Sequence, residues 1–131
     1  MESQGLIKVM AAGFGAVITH MFGGLNGLLM ILTVLIIIDY ITGFLAAGIA
    51  GRLSSEIGFK GIAKKIMIFA LVAVANIIDQ LVESNNLVRD ATSYFYIINE
   101  TLSIIENAGR SGIPIPVFLK KAVSVLRDRT K

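Results

Sequence analysis

From Val9 to Ile38 the chain runs for 30 consecutive residues without a Lys, Arg, Asp or Glu, and after Asp39 the uncharged stretch resumes from Tyr40 to Gly51. One helix needs about 20 apolar residues to cross the hydrocarbon core of a bilayer. The run is therefore too long for a single straight crossing. Gly23, Gly24, Asn26 and Gly27, residue types that favour turns and helix ends, divide it. Beyond the break, residues 27–50 hold Leu28-Leu29-Met30-Ile31-Leu32 and Val34 to Ile38 and are predicted to form a transmembrane helix. Ahead of it, residues 1–24 form a short hydrophobic segment rich in Gly and Ala, compatible with a tight crossing, a partly inserted helix or a peripheral one. Lys8 followed by an apolar stretch would also suit a signal peptide, but no small-x-small cleavage site follows, so retention is expected.

Composition agrees with a membrane solvent. Only 16% of the 131 residues are charged, against roughly a quarter in soluble domains, and the length suits one domain spanning 1–131. The absence of Cys excludes a disulfide framework and thiol chemistry, and the single His20 leaves no histidine cluster, so no metal or other cofactor is expected. His20 reads as an interfacial or contact residue. Nothing resembles a nucleophile with its base, a glycine loop for phosphate or a paired-carboxylate hydrolase site, so the chain is not expected to be an enzyme. A net charge of +3 with no Trp is a poor match to a nucleic-acid surface.

Two more spans are predicted. Residues 64–82 contain 13 uncharged residues from Ile66 to Ile78, bounded by Lys64-Lys65 and Asp79. Residues 88–106 are more mixed, with Tyr94, Phe95 and Tyr96 placed as an interfacial belt and Glu100 inside. The expected fold is an all-α integral membrane bundle of three transmembrane helices, four if 1–24 crosses. A basic tail at 110–131 follows, readable as an amphipathic cytoplasmic helix or as a solvated segment. Arg52, Lys60, Lys64 and Lys65 in the first connection, and Lys120 and Lys121 in the tail, mark two basic regions. The positive-inside rule assigns both to the cytoplasm, with the tip between the last two spans outside. Lys60, Lys64, Lys65, Lys120 and Lys121 are the candidate cytoplasmic anchors.

The embedded polar residues are the candidates for function. Asp39, inside the most apolar helix, costs about 2.5–3.5 kcal/mol to insert, which the surrounding Leu, Ile, Val and Met residues offset. Three readings stay open for it: pairing within one protomer with Lys64 or Lys65, facing water between protomers, and coupling to a proton or ion. Thr42 lies on the same face, and Gly43, Ala47 and Gly51 recur every fourth residue as a face for close helix approach and self-association. Asn76 and Asp79 mark a polar stripe on the next span, and Asn99, Ser103, Glu106 and Asn107, with Glu100 beside them, mark another. Each stripe reads either as satisfied helix contacts or as a seam that lines water after assembly.

Several segments together carry a resemblance. These are Asp39-Tyr40-Ile41-Thr42-Gly43, Ser54-Ser55-Glu56-Ile57-Gly58-Phe59-Lys60-Gly61 leading to Lys64-Lys65, Asp79, the run Asn99 to Asn107, and Gly112 to Pro116. In that order and spacing the chain, over about Leu28 to Leu126, resembles the toxin secretion and phage lysis holins of Gram-positive phages and clostridial toxin loci. The resemblance implies a small protein that accumulates in the cytoplasmic membrane of the bacterial host, homo-oligomerises into lesions and lets an endolysin or a toxin pass during host lysis. It carries over no catalytic residue. Alternatives are an ion-coupled small transporter or channel subunit, and a regulatory membrane partner such as an antiholin. Met10 lies downstream of Met1 and Lys8, so initiation there would give a second, shorter product of the kind some holins use as an inhibitor or effector. The plain reading is that Met10 is an apolar helix residue.

Overall fold

The computed structural model describes residues 2–24 and 26–129, so Met1 of the two-start reading and the last two residues of the 110–131 tail lie outside the described residues. The described residues form five helices: α1 (Glu2–Phe22), α2 (Gly27–Ile49), α3 (Ser55–Val82), α4 (Leu87–Arg110) and α5 (Val117–Arg129). Among the described residues there are no strands.

The helix boundaries follow from capping. The break after α1 turns through Gly23 and Gly24, both at positive φ, and Asn26 then caps α2 by accepting a hydrogen bond from Leu29 N at 2.8 Å. At its far end α2 stops at Ile49, and Gly51 lies beyond it at φ 69°. The small-residue face expected through Gly43, Ala47 and Gly51 therefore ends at Ala47, because Gly51 belongs to the turn. Ser54 Oγ accepts from Ile57 N at 3.1 Å, and Glu56 sits in the first turn where the helix dipole favours a carboxylate. With that cap α3 begins at Ser55, well ahead of the 64 expected from hydropathy. Lys60 and Lys64 ride on its exposed side and do not oppose helix formation.

Among the described residues, α1, α2 and α3 are the three helices long and apolar enough to cross a membrane. That set differs from the one expected: the 1–24 segment supplies a full-length apolar helix, whereas α4, expected as a span at 88–106, does not meet the same measure of length and hydropathy. Yet α4 is the helix around which the others pack. Most of its contacts are with α2 and the next largest share with α3, while α2 and α3 touch each other little. The core is Phe22, Leu29, Leu32, Ile36, Val72 and Ala73, closed by Phe69 from α3 and Tyr96 and Ile97 from α4. In a bilayer such packing gains little from leaving water, so dispersion contacts and satisfied polar groups must hold the helices together.

Polar groups do much of this at the end of the bundle where α1 meets α2 and α3 meets α4. Asp79, near the last turn of α3, accepts from the backbone N–H groups of Val88 at 2.8 Å and Arg89 at 2.7 Å and from the Ser84 hydroxyl. It caps the start of α4, where Asn86 makes no side-chain cap of its own. The intervening turn holds Glu83, Asn85 and Asn86 at positive φ, a conformation Asn tolerates better than most residues. Asp79→Ala should therefore lower the midpoint of thermal unfolding in detergent and loosen the 83–86 turn, and Asp79→Asn should do so less. Equal midpoints for Asp79→Ala and the parent would show that the cap does not hold the hairpin.

α1 joins the rest only through its last turns: Phe22 is buried, Ile18 packs on the core, and the Phe22 and Phe69 rings meet edge to face at 6.1 Å. Its end is held by two side chains. Asn76 Nδ2 donates to Met21 O at 2.9 Å and His20 O at 3.4 Å, and Arg89 donates to Phe22 O at 3.2 Å and Gly23 O at 3.0 Å. Met21 O and Phe22 O are among the carbonyls a helix end leaves without partners, and Arg89 brings positive charge to the negative end of the dipole.

Candidate functional site

The second polar cluster lies deeper. Lys65 on α3 is ten residues in from the start of its helix, and Asp39 on α2 is ten residues short of the end of its own. At 1.5 Å per residue both sit about 15 Å from those helix ends, inside the bundle. Lys65 Nζ forms an ion pair with Asp39 and donates to both Glu100 oxygens, at 2.9 and 2.7 Å. The two carboxylate side chains are 4% and 5% exposed, so they reach Lys65 and each other's surroundings far more than solvent.

Asn107 completes the cluster from α4. Its Nδ2 donates to Asp39 Oδ1 at 2.8 Å, to Asp39 O at 3.1 Å and to Thr42 Oγ1 at 3.0 Å, while its Oδ1 accepts from Arg110 at 2.7 Å. Thr42 donates back to Asp39 O at 3.1 Å. Lys65 is thus shared between Asp39 and Glu100, and Arg110 reaches the cluster only through Asn107. Among the described residues no buried side-chain N or O atom lacks a hydrogen-bond partner, which is what low dielectric demands of embedded polar groups.

Of the three readings of Asp39, the structure realises pairing within one protomer, with Lys65; Lys64 makes no such pair and points to the cleft described below. Gly43, expected to meet another copy, instead faces Asn107 of its own chain, where an added Cβ would lie 3.5 Å from Nδ2. The α4 stripe divides: Glu100 and Asn107 are buried, Ser103 is half-buried beside Asp39 in the cleft, and Asn99 and Glu106 point outward. Asn76 and Asp79, read as a seam for water or helix contact, are both buried and spent on the ends of α1 and α4.

A cleft of about 810 Å³ opens above the cluster, between the second half of α2, the first half of α3 and the last turns of α4. Asp39 and Lys65 form its floor, small residues such as Ala46, Ala47 and Gly61 its walls, and Arg52, Lys60, Lys64 and Arg110 its cationic lining. Along it Tyr40 of α2 lies against Gly58 and Gly61 of α3, 3.4 Å from where a Cβ on either would stand. Past the floor, Leu32, Ile36 and Val72 fill the interior, so the cleft ends halfway through the bundle.

Sequence reasoning did not find the Lys65–Glu100 pair, the Arg89 and Asn76 caps or the seat of Tyr40 on Gly58 and Gly61. For Arg89 a signal existed, a lone cation in an otherwise acidic tip. Lys60 forms an exposed pair with Glu56 at 3.3 Å, and Lys120 and Lys121 are exposed on α5, whose Val123 is buried.

Fold and site together define an all-helical, membrane-embedded protein whose buried polar side chains, among the described residues, find their partners within the chain. The family model for the bacteriophage holin family matches residues 16–128, and the chain belongs to that family. A probable holin of Bacillus phage phi105 is 38% identical over 109 residues, covering 83% of this chain and 80% of the phage protein. An uncharacterised protein of Listeria innocua is 46% identical over 120 residues, 92% of this chain and 86% of its own length. Another, from Halalkalibacterium halodurans, is 43% identical over 134 residues, 98% of this chain and 99% of the relative. No solved structure matches the chain.

Proposed function

We propose that this holin assembles in the cytoplasmic membrane of its bacterial host into lesions through which an endolysin reaches the cell wall. The observation that carries the reading is the outward side of α4. Asn99 and Glu106 are exposed there, although α4 is the helix the bundle is built around. Polar groups on the outside of a membrane bundle need water or another chain. Since Leu32, Ile36 and Val72 close the interior of one protomer, a passage large enough for a protein has to form between copies, with the Asn99 and Glu106 face toward water.

The topology proposed with it has four crossings. α4 is 24 residues long, about 36 Å as a helix, enough to cross beside α2 and α3 with its polar groups shielded by them. With α1 also crossing, the positive-inside rule puts both ends of the chain, the 50–54 turn and α5 in the cytoplasm.

Induced expression with and without a co-expressed endolysin tests the function. Growth should stop abruptly, membrane potential should collapse, and cells holding the endolysin should lyse. Cells that keep growing and stay sealed would overturn the reading. Movement of a small solute with the barrier to proteins intact would favour a transporter or channel subunit, and delayed lysis by a second holin would favour an antiholin.

A further inference from the structure

Two cations that line the cleft have no role in the internal charge balance. Lys65 and Arg110 are engaged by Asp39, Glu100 and Asn107, and Lys60 by Glu56. Arg52 and Lys64, which also line the cleft, have no side-chain partner among the described residues. Asp39 is the one carboxylate that lines the cleft with these cations, and it is already bound by Lys65 and Asn107. The field inside the cleft is therefore positive, and an anion entering it meets no free negative group.

Position narrows the kind of anion. Arg52 lies in the turn between α2 and α3, at the end of the bundle, where the helices leave the hydrocarbon for the headgroup layer. The cleft is also lined by Phe44, Leu53 and Ile57, all three exposed, and Leu53 follows Arg52 directly in sequence. The first turn of α3 adds the positive end of a helix dipole. A volume of about 810 Å³ falls within the range of small-ligand sites, roughly 300–1,000 Å³. Basic pockets between membrane helices at this depth are suited to acidic lipid headgroups.

We propose that the cleft between α2, α3 and α4 binds the phosphate headgroup of an anionic phospholipid, with Arg52 and Lys64 as the contacts to phosphate and Leu53 and Ile57 beside its acyl chains. The proposal goes beyond lesion formation and rests only on the chain lying in a bilayer. Because the binding measurement uses purified protein, its failure and the failure of the lysis assay are distinguishable.

The test titrates the purified full chain, in zwitterionic nanodiscs, with dioctanoyl-phosphatidylglycerol, dioctanoyl-phosphatidylcholine or inorganic phosphate, reading saturable binding and the shift in unfolding temperature. The glycerol lipid should bind saturably and stabilise the protein, and the other two should not. Arg52→Gln with Lys64→Gln, both at exposed positions, should weaken that binding about tenfold or more, as expected for two lost cation contacts. Lys120→Gln with Lys121→Gln, on α5, should leave it within about twofold, since those residues are outside the cleft. Equal stabilisation by phosphatidylcholine or by inorganic phosphate would overturn the lipid assignment. Binding unchanged in the Arg52 and Lys64 variant, or lost equally in the α5 variant, would overturn the site.

Discussion

Lys65→Met is expected to cost about 3–5 kcal/mol of stability, the range for breaking a buried ion pair by removing one partner. The side chain is the only cation in direct contact with Asp39 and Glu100 among the described residues, and both carboxylates are nearly inaccessible. Without it two buried negative charges face each other inside the bundle. Asp39→Asn should be far milder, about 1 kcal/mol, because a neutral amide in that place still accepts from Asn107 while Lys65 keeps Glu100. Reversible unfolding in mixed micelles with increasing dodecyl sulfate measures both. The triple change Lys65→Met, Asp39→Asn, Glu100→Gln removes every charge in contact and should recover much of the loss. If Lys65→Met is no worse than Asp39→Asn, Lys65 is not what neutralises the pair. The triple variant also separates packing from chemistry: unchanged lysis timing in it would make the cluster a structural joint, and altered timing would tie the charges to lesion formation.

That cluster shows what hydropathy reads well and what it misses. α2 was legible at once, since its apolar residues run all round the helix and its single acid is outweighed. The break at Gly23 and Gly24 was legible too, because glycine at those positions suits the left-handed backbone the turn adopts. The centrality of α4 was not. Hydropathy averages over a helix, as if lipid surrounded it, whereas α4 presents Arg89, Ser93, Glu100 and Asn107 to the interior and is judged face by face. A helix enclosed by two others can carry a polar side that would be prohibitive facing hydrocarbon.

The polar stripes were visible as stripes, yet their partners were not, because the pairing of Lys65 with Glu100 joins residues 35 positions apart. Periodicity places a residue on a face without saying what stands opposite. The same limit applies to Gly43: small residues permit close approach, and the sequence alone does not say whether the approaching helix is α4 or a second chain. Here it is α4, through Asn107. The proposed self-association then uses other surfaces, and the exposed α4 side with Asn99 and Glu106 is the one proposed above.

Gly23→Ala is expected to release α1 from the bundle. A Cβ there would collide with the Asn76 amide oxygen and stand 2.6 Å from an Arg89 nitrogen, and φ at 72° already disfavours any side chain. Both groups hold the end of α1, so displacing them removes the bonds to Met21 O, Phe22 O and Gly23 O together. The expected loss is about 3 kcal/mol, from charge-assisted hydrogen bonds at about 1.5–3 and left-handed backbone at about 1–2, partly overlapping. Gly24→Ala is the control, since φ is 96° but nothing stands within 4 Å of the added carbon; it should show the backbone cost alone, about 1–2 kcal/mol. Spin labels at the exposed positions Val9 and Ile77 should report a broader distance distribution in Gly23→Ala than in Gly24→Ala or the parent. Arg89→Met should broaden it as well, because it strips Phe22 O and Gly23 O of their donor while leaving Gly23 itself unchanged. An equal, narrow distribution in all four proteins would mean that α1 is held by Ile18 and Phe22 against the core, and that the Asn76 and Arg89 caps follow its position without setting it.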